Sequence, residues 1–309
     1  MPHITDFITK YSWEDILITL FVIVDDICQL LYGASNHPRA RGPQPAMTDS
    51  EVITIAIFTD TFFRGNEELA LTHIANYHRD LFPRLLTRSR FNRRRRALVR
   101  EIESVRRWIT TDLGVENDPY RLIDSLAIEL CEYVRGSRCR SIPAEEPEER
   151  DKWFGVIPSK RKRKFVGPRL HFTTTLEGVV DMWLLAPGAV HDIVPTPELL
   201  ATYRDVLVAG DKAYNDADLE EGLRREQNVA LCPLRRKSQR AQWSEALAYA
   251  LQKARRLIET AGSVLTGVFG IDRPRARSWS GVVARIATKL LAYNMAFVLT
   301  YVLEFVFGN

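Results

Sequence analysis

Asp124, Asp211 and Glu259 are the residues whose types and settings point most directly to chemistry. Asp124 lies in the alternating stretch 121–130, where Leu122, Asp124, Leu126, Ile128 and Leu130 share one face of a strand. A carboxylate on that apolar face is costly unless it meets a donor, a cation or a metal; a turn or capping aspartate is the competing reading. Asp211 follows a short apolar strand, 206–209, and Gly210. Ligand-binding groups gather at the carboxyl ends of strands in open α/β sheets, although Gly-Asp is also a common turn pair. Glu259 sits mid-helix, one turn after Arg255 and Arg256, where a surface ion pair is the plainer reading. Together, two aspartates on separate strands and a glutamate on a later helix can converge over one sheet edge. Such carboxylates suit hard divalent cations, Mg2+ or Mn2+, which take oxygen ligands. Two ions about 3.5–4 Å apart can activate a nucleophile and stabilise a leaving oxygen in phosphodiester chemistry.

The elements that must position these groups are legible as patterns. Residues 13–32 read as a helix and 33–45 as a loop with three prolines. Thr48 and Glu51 form a capping-box signature ahead of the apolar run 52–58. Helical spacing continues to about residue 112, broken at Gly65 and Pro83, with no convincing strand. From about residue 116 the texture changes. After the 121–130 strand comes a polar segment, 135–164, then a hairpin of 170–175 and 179–185 turning at Glu177-Gly178. Residues 195–203 read as a helix, 206–209 as a strand, 216–226 as a helix and 229–232 as a strand. The stretch 245–269 carries an apolar stripe through Leu247, Leu251, Ala254, Ile258, Ala261 and Leu265. The order predicts a mixed sheet covered by helices, over 116–309, preceded by an all-helical region over 1–115.

Charge distribution adds a second function. Residues 84–107 hold ten arginines against two acids, Glu101 and Glu103, and Lys160, Arg161, Lys162, Arg163 and Lys164 form an unbroken cationic run. Separated basic blocks on a chain of net charge +4 suggest local anion-binding surfaces, with solvated faces as the alternative. Arg88, Arg90, Arg93, Arg94, Arg95 and Arg96 are the candidate DNA contacts of the first block, chiefly to phosphates. Lys212 is a candidate phosphate contact beside the carboxylates. Arg235, Arg236 and Lys237 could track a strand or simply solvate a loop. His171 and His191 could order metal ligands or touch phosphates, and each is equally readable as structural; Asp192 reads as a helix cap or a further member of that outer layer.

Four cysteines without a CxxC pair fit free buried thiols in a reducing cytoplasm, and no signal peptide is read at the start of the chain. The apolar stretch 290–307 is 18 residues long but contains Asn294 and Glu304. A span needs about 20 apolar residues, so a helix buried in protein or against a second subunit is expected, and no membrane partner.

The chain resembles the DDE transposases of bacterial insertion sequences. The resemblance rests on 21–26 (FVIVDD), 88–94 (RSRFNRR), Ile123-Asp124-Ser125, Lys164-Phe165-Val166-Gly167 with Leu170-His171, His191-Asp192, 210–214 (GDKAY) and 255–260. It implies a ribonuclease H-like catalytic domain in which Asp124, Asp211 and Glu259 bind two catalytic metal ions. It also implies an N-terminal DNA-binding region, action on inverted-repeat ends and target DNA, a homodimer on that DNA, and a cytoplasmic, nucleoid-associated location. The chain departs from the family pattern at Ala213, where glycine is usual, and at Pro168-Arg169, where Tyr-Lys is usual. Arg255 and Glu259 fit the helical signature, while Gln252 and Thr266 stand at its Tyr and Lys positions. The implied activity is metal-dependent strand cleavage and strand transfer; the alternatives are an inactive DNA-binding derivative or a structure-selective nuclease.

Overall fold

The computed structural model describes residues 9–33, 45–144, 146–157 and 163–307. The chain divides into two compact units: a helical unit, Met1–Leu113, Gly267–Ile271 and Ser280–Asn309, and a sheet unit, Gly114–Thr266 and Asp272–Trp279.

The helical unit begins with α1 (Trp13–Tyr32), α2 (Asp49–Phe62), α3 (Glu67–Tyr77), α4 (Arg88–Ala97) and α5 (Val99–Asp112). α2 starts where its sequence says it should: the Thr48 side chain accepts from the Glu51 amide, and Glu51 accepts from the Thr48 amide. Most of its length is buried on every face, as befits a central helix. Trp13 packs edge-on against Phe58 and Phe62, with ring centroids 5.5 and 5.2 Å away.

In the sheet unit, β1 (Tyr120–Ala127) is the central strand, and α6 (Pro147–Asp151) follows it. β2 (Phe154–Ile157) and β3 (Arg163–Val166) form a separate antiparallel pair within the segment that reads as merely polar. β4 (Pro168–Thr174) and β5 (Val180–Pro187) are the expected hairpin. After them come α7 (Thr196–Leu199), β6 (Leu207–Gly210), α8 (Ala217–Gln227), β7 (Ala230–Pro233) and α9 (Glu245–Gly267). α7 is a single turn where a longer helix is expected over 195–203. The five-stranded sheet runs β5-β4-β1-β6-β7. Its first three strands are antiparallel, and β1, β6 and β7 are parallel. A core of Ile123, Leu200, Val208, Val229 and Leu231 lies on one face. Arg121 is buried and ties β1 to β5 through Asp181 at 2.8 Å, and the Tyr203 hydroxyl donates to the same carboxylate at 2.7 Å.

α10 (Trp279–Phe307) packs with the helical unit from Ser280 onward, whereas the sequence alone places it in a domain over 116–309. The reason lies in what it buries. Val282, Ile286, Leu290, Leu291 and Met295 are buried with no exposed surface. Lys289, 1% exposed, donates to Asp60 Oδ1 at 3.0 Å and to the Phe269 carbonyl at 2.5 Å. The same network holds Arg95, 3.6 Å from Asp60 and 3.5 Å from Glu67, and Arg285, 3.2 Å from Glu67. Gly65, at φ +79°, borders it: a Cβ there would stand 2.8 Å from Asp60 Oδ1 and 2.9 Å from Lys289 Nζ. α10 is long and apolar enough to cross a membrane by length and composition, yet 61% of its apolar window is buried. Its last turns expose Tyr301, Phe305 and Val306.

Candidate active site

The parallel pairing of β1 with β6 aligns Leu122 with Ala209 and Ile123 with Gly210. Asp124 and Asp211 are the next residues on each strand. Asp124, midway along β1, and Asp211, just past the end of β6, therefore stand at the same step of neighbouring strands, whose backbones in a sheet lie about 4.8 Å apart. From β1 the chain builds the sheet outward through β4 and β5; it then returns to build the other side through β6 and β7. The β1–β6 boundary is thus a topological switch point, the place in an open α/β sheet where a crevice forms.

A crevice is found there, lined by Ile123, Asp124, Ala209, Gly210, Asp211, Leu251, Arg255, Ile258 and Glu259. α9 forms its far wall. Leu251 and Ile258 turn inward on one stripe, and Gly262 lets the helix approach β1: a Cβ at that position would lie 3.3 Å from the Leu126 side chain. Gly210 is more tightly constrained, since a Cβ would meet Ile123 at 2.8 Å and the Tyr214 ring at 2.9 Å.

Each aspartate is oriented by a backbone amide. Ser125 N donates to Asp124 Oδ1 at 2.8 Å, and Ala213 N donates to Asp211 Oδ1 at 2.7 Å. Asp211 also caps the short 3-10 turn Lys212–Tyr214, so its turn role and its place in the crevice coexist. Burial pushes the Asp124 carboxyl up to about 7, and the neighbouring charges of Asp211, Asp192 and Glu259 push in the same direction. Glu259 is half exposed and paired with Arg255 at 3.0 Å, the i,i+4 contact that is the plainer sequence reading. Among the described residues, no three His, Cys, Asp or Glu side chains stand close enough together to enclose a metal ion. The three carboxylates share the crevice without closing on one point.

Behind the aspartates lies a second polar layer. His171 on β4 is paired with Ser125 across the β1–β4 ladder and is buried; burial lowers its pKa to about 4, against the opposing pull of Asp192. Its Nδ1 lies 3.9 Å from Asp192 Oδ1. The Tyr214 hydroxyl is buried, and its pKa is raised well above normal by burial and by Asp124, Asp192 and Asp211. Sequence reasoning assigns no role to Ser125 or Tyr214, although Ser125 follows Asp124 and Tyr214 closes the 210–214 motif. His191 is exposed.

The candidate DNA contacts divide sharply. Arg90, Arg93 and Arg96 are exposed, and Arg88 is exposed beside Glu68. Arg95 is 1% exposed and belongs to the buried network; Arg94 is mostly covered and paired with Asp49. Both are engaged by carboxylates of the helical unit, unlike the exposed arginines beside them. α4 turns Phe91 and Arg95 inward, one helical turn apart. Arg235 is likewise engaged within the protein: it makes two bonds to Glu220, at 2.7 and 2.6 Å, and stacks 4.3 Å from the Trp243 ring centroid. Arg236, Lys237 and Lys212 are exposed. Arg163 is paired with Glu129, and Lys164 lies over the Tyr133 ring at 5.3 Å. Lys160, Arg161 and Lys162 lie outside the described residues. At the two positions that depart from the helical signature, Gln252 is exposed, and the Thr266 hydroxyl donates back to the Gly262 carbonyl at 2.9 Å.

A family model described as the transposase DDE domain matches residues 118–295, more than half of the chain. No curated protein and no solved structure matches the chain.

Proposed function

The chain belongs to the transposase DDE-domain family, and from that premise we propose that it cleaves DNA at insertion-sequence ends and transfers the freed strands to target DNA. The observation that carries this reading is the placement of Asp124 and Asp211 at the same step of adjacent parallel strands, in one crevice with Glu259. Three hard oxygen donors crowd negative charge into that crevice, a donor set that suits divalent cations. Asp124 and Asp211 would hold the metal from the sheet, with Glu259 on the facing helix as the third donor of this reading. Bound Mg2+ or Mn2+, two ions in this reading, would polarise the attacking and leaving oxygens of a phosphodiester.

The chain's own groups supply orientation and charge. The amides of Ser125 and Ala213 fix the two aspartates. Arg255, which lines the crevice, and the exposed Lys212, next to Asp211 in sequence, neutralise substrate phosphates in this reading. The order β5-β4-β1-β6-β7, three antiparallel strands leading into parallel ones, supports the ribonuclease H-like reading of the sheet unit. The exposed arginines of α4, with Arg90 and Arg93 foremost, support DNA binding by the helical unit. Paired ends require two catalytic sites, so the assembly proposed on DNA is a homodimer, at the nucleoid in the cytoplasm. Incubating the full chain with DNA carrying its inverted-repeat ends and Mg2+ or Mn2+ tests the reading: nicked and joined strands are expected. End-specific binding without any cleavage would make the protein a non-catalytic DNA-binding derivative.

A further inference from the structure

Ser125 links two carboxylates that lie on opposite sides of one strand. Successive side chains of a strand point to opposite faces, so Ser125 points away from Asp124, on the same face as its β4 neighbour His171. Its amide donates to Asp124 Oδ1 at 2.8 Å, while its hydroxyl donates to Asp192 Oδ1 at 2.9 Å. Asp192 is itself held in place: its carbonyl accepts from Thr196 Oγ1 at 2.8 Å, which fixes the turn leading into α7. Among the described residues, Ser125 is the one hydrogen-bond partner of the Asp192 carboxylate. His171 and Tyr214 form the buried surroundings of this link, each 1% exposed, and neither ring nitrogen of His171 nor the Tyr214 hydroxyl has a hydrogen-bond partner among the described residues. His171 Nδ1 stands 3.9 Å from Asp192 Oδ1, beyond hydrogen-bond distance, so Ser125 makes the hydrogen bond to that carboxylate.

We propose that Asp192 is a positioning residue: by accepting the Ser125 hydroxyl it fixes residue 125, and through the Ser125 amide it fixes the Asp124 carboxylate toward the crevice. The proposal rests on the reading of Asp124 as a metal-binding carboxylate. It adds a requirement for a hydrogen-bond acceptor at 192, distinct from a requirement for negative charge there. Outer-layer partners of metal-binding side chains usually contribute about 10–100-fold in affinity, and a link through one hydrogen bond belongs at the lower end.

The test is Mn2+ binding to the full chain without DNA, by calorimetry, for wild type, Asp192→Ala, Asp192→Asn and Ser125→Ala. Melting by circular dichroism checks that each variant is folded. Asp192→Ala and Ser125→Ala should weaken Mn2+ binding by about 10-fold. Asp192→Asn should retain most of the affinity, because its amide oxygen still accepts from Ser125. The Mn2+ concentration for half-maximal DNA cleavage should rise in step, with KM for DNA unchanged. If Asp192→Asn loses as much as Asp192→Ala, charge rather than position is what Asp192 provides, and the proposal is overturned. It is also overturned if all three variants bind like wild type. If Asp192→Ala fails to fold, the contrast between Asp192→Asn and Ser125→Ala still decides. An unmutated chain that binds no Mn2+ would remove the metal reading itself, and this proposal with it.

Discussion

Asp124 and Asp211 occupy the same step of two neighbouring parallel strands, one residue beyond the Ile123–Gly210 pair. Neither strand alone contains this relationship; the register between them creates it. Glu259 on the opposing helix is paired with Arg255, whereas the two aspartates set side by side on the sheet raise the cost of ionising Asp124.

That cost predicts a stability effect at Asp124. Its carboxyl is raised from 3.8 to about 7, first by burial and then by neighbouring acids. The folded state therefore holds this proton more tightly than the unfolded chain does. Below about pH 4 the group is protonated in both states and contributes no penalty. As pH rises from there to 7 the folded state loses stability relative to the unfolded one, and above 7 the penalty is complete. In EDTA at pH 8, Asp124→Asn should therefore melt a few degrees above wild type, and the difference should shrink toward zero as the pH falls below the unfolded value of 3.8. Added Mg2+ should raise the melting temperature of wild type more than that of the variant. A variant that melts below wild type at pH 8 would contradict the assigned electrostatics.

Gly210 gives a steric prediction. A methyl group there meets Ile123 and the Tyr214 ring at under 3.0 Å, and both neighbours are buried. Gly210→Ala should cost about 1–3 kcal/mol, as overpacking in a filled core does, and should displace Asp211. Denaturant unfolding measures the first effect and cleavage rate the second. Wild-type values for both would show that β6 has slack where none is expected.

The arginines of α4 should separate into two kinds. Arg95→Ala removes a cation from the buried network with Asp60 and Glu67 and should destabilise the helical unit by about 3–5 kcal/mol. The double variant Arg90→Ala, Arg93→Ala should leave stability nearly unchanged. It should instead lower the salt dependence of duplex binding by about 1.8 in log K against log salt, from about 0.9 for each phosphate that is no longer neutralised. Unfolding curves and DNA titrations at several salt concentrations distinguish the two. An unchanged salt slope would move the DNA surface elsewhere on the chain.

Much of the site is legible in the sequence, because the signals are local. Alternation over 121–130 marks Asp124 as an acid on an apolar face, a strand followed by glycine marks Asp211, and the 245–269 stripe carries Leu251 and Ile258 into the wall beside Glu259. What is not legible depends on partners far along the chain. The arginines between 88 and 96 look alike until the phase of Phe91 and Arg95 is read together, and the counter-ion Asp60 lies two helices earlier. Lys289 reads as an interruption in an apolar helix because nothing nearby in sequence announces Asp60. The β2–β3 pair is hidden by the cationic run between its strands. Asp192 reads as a cap because its link to Ser125 spans 67 positions.

The most direct test of the account is strand cleavage by Asp211→Asn on inverted-repeat DNA with Mg2+. The substitution keeps the shape of the side chain and its Oδ1 acceptor for the Ala213 amide, but removes one negative charge from the proposed metal site. Wild type should nick and join end-sequence strands, with activity lost in EDTA. The variant should bind the same DNA with similar affinity and salt dependence and yet cleave nothing detectable. Cleavage by Asp211→Asn at the wild-type rate would contradict the assignment of this crevice as the catalytic centre.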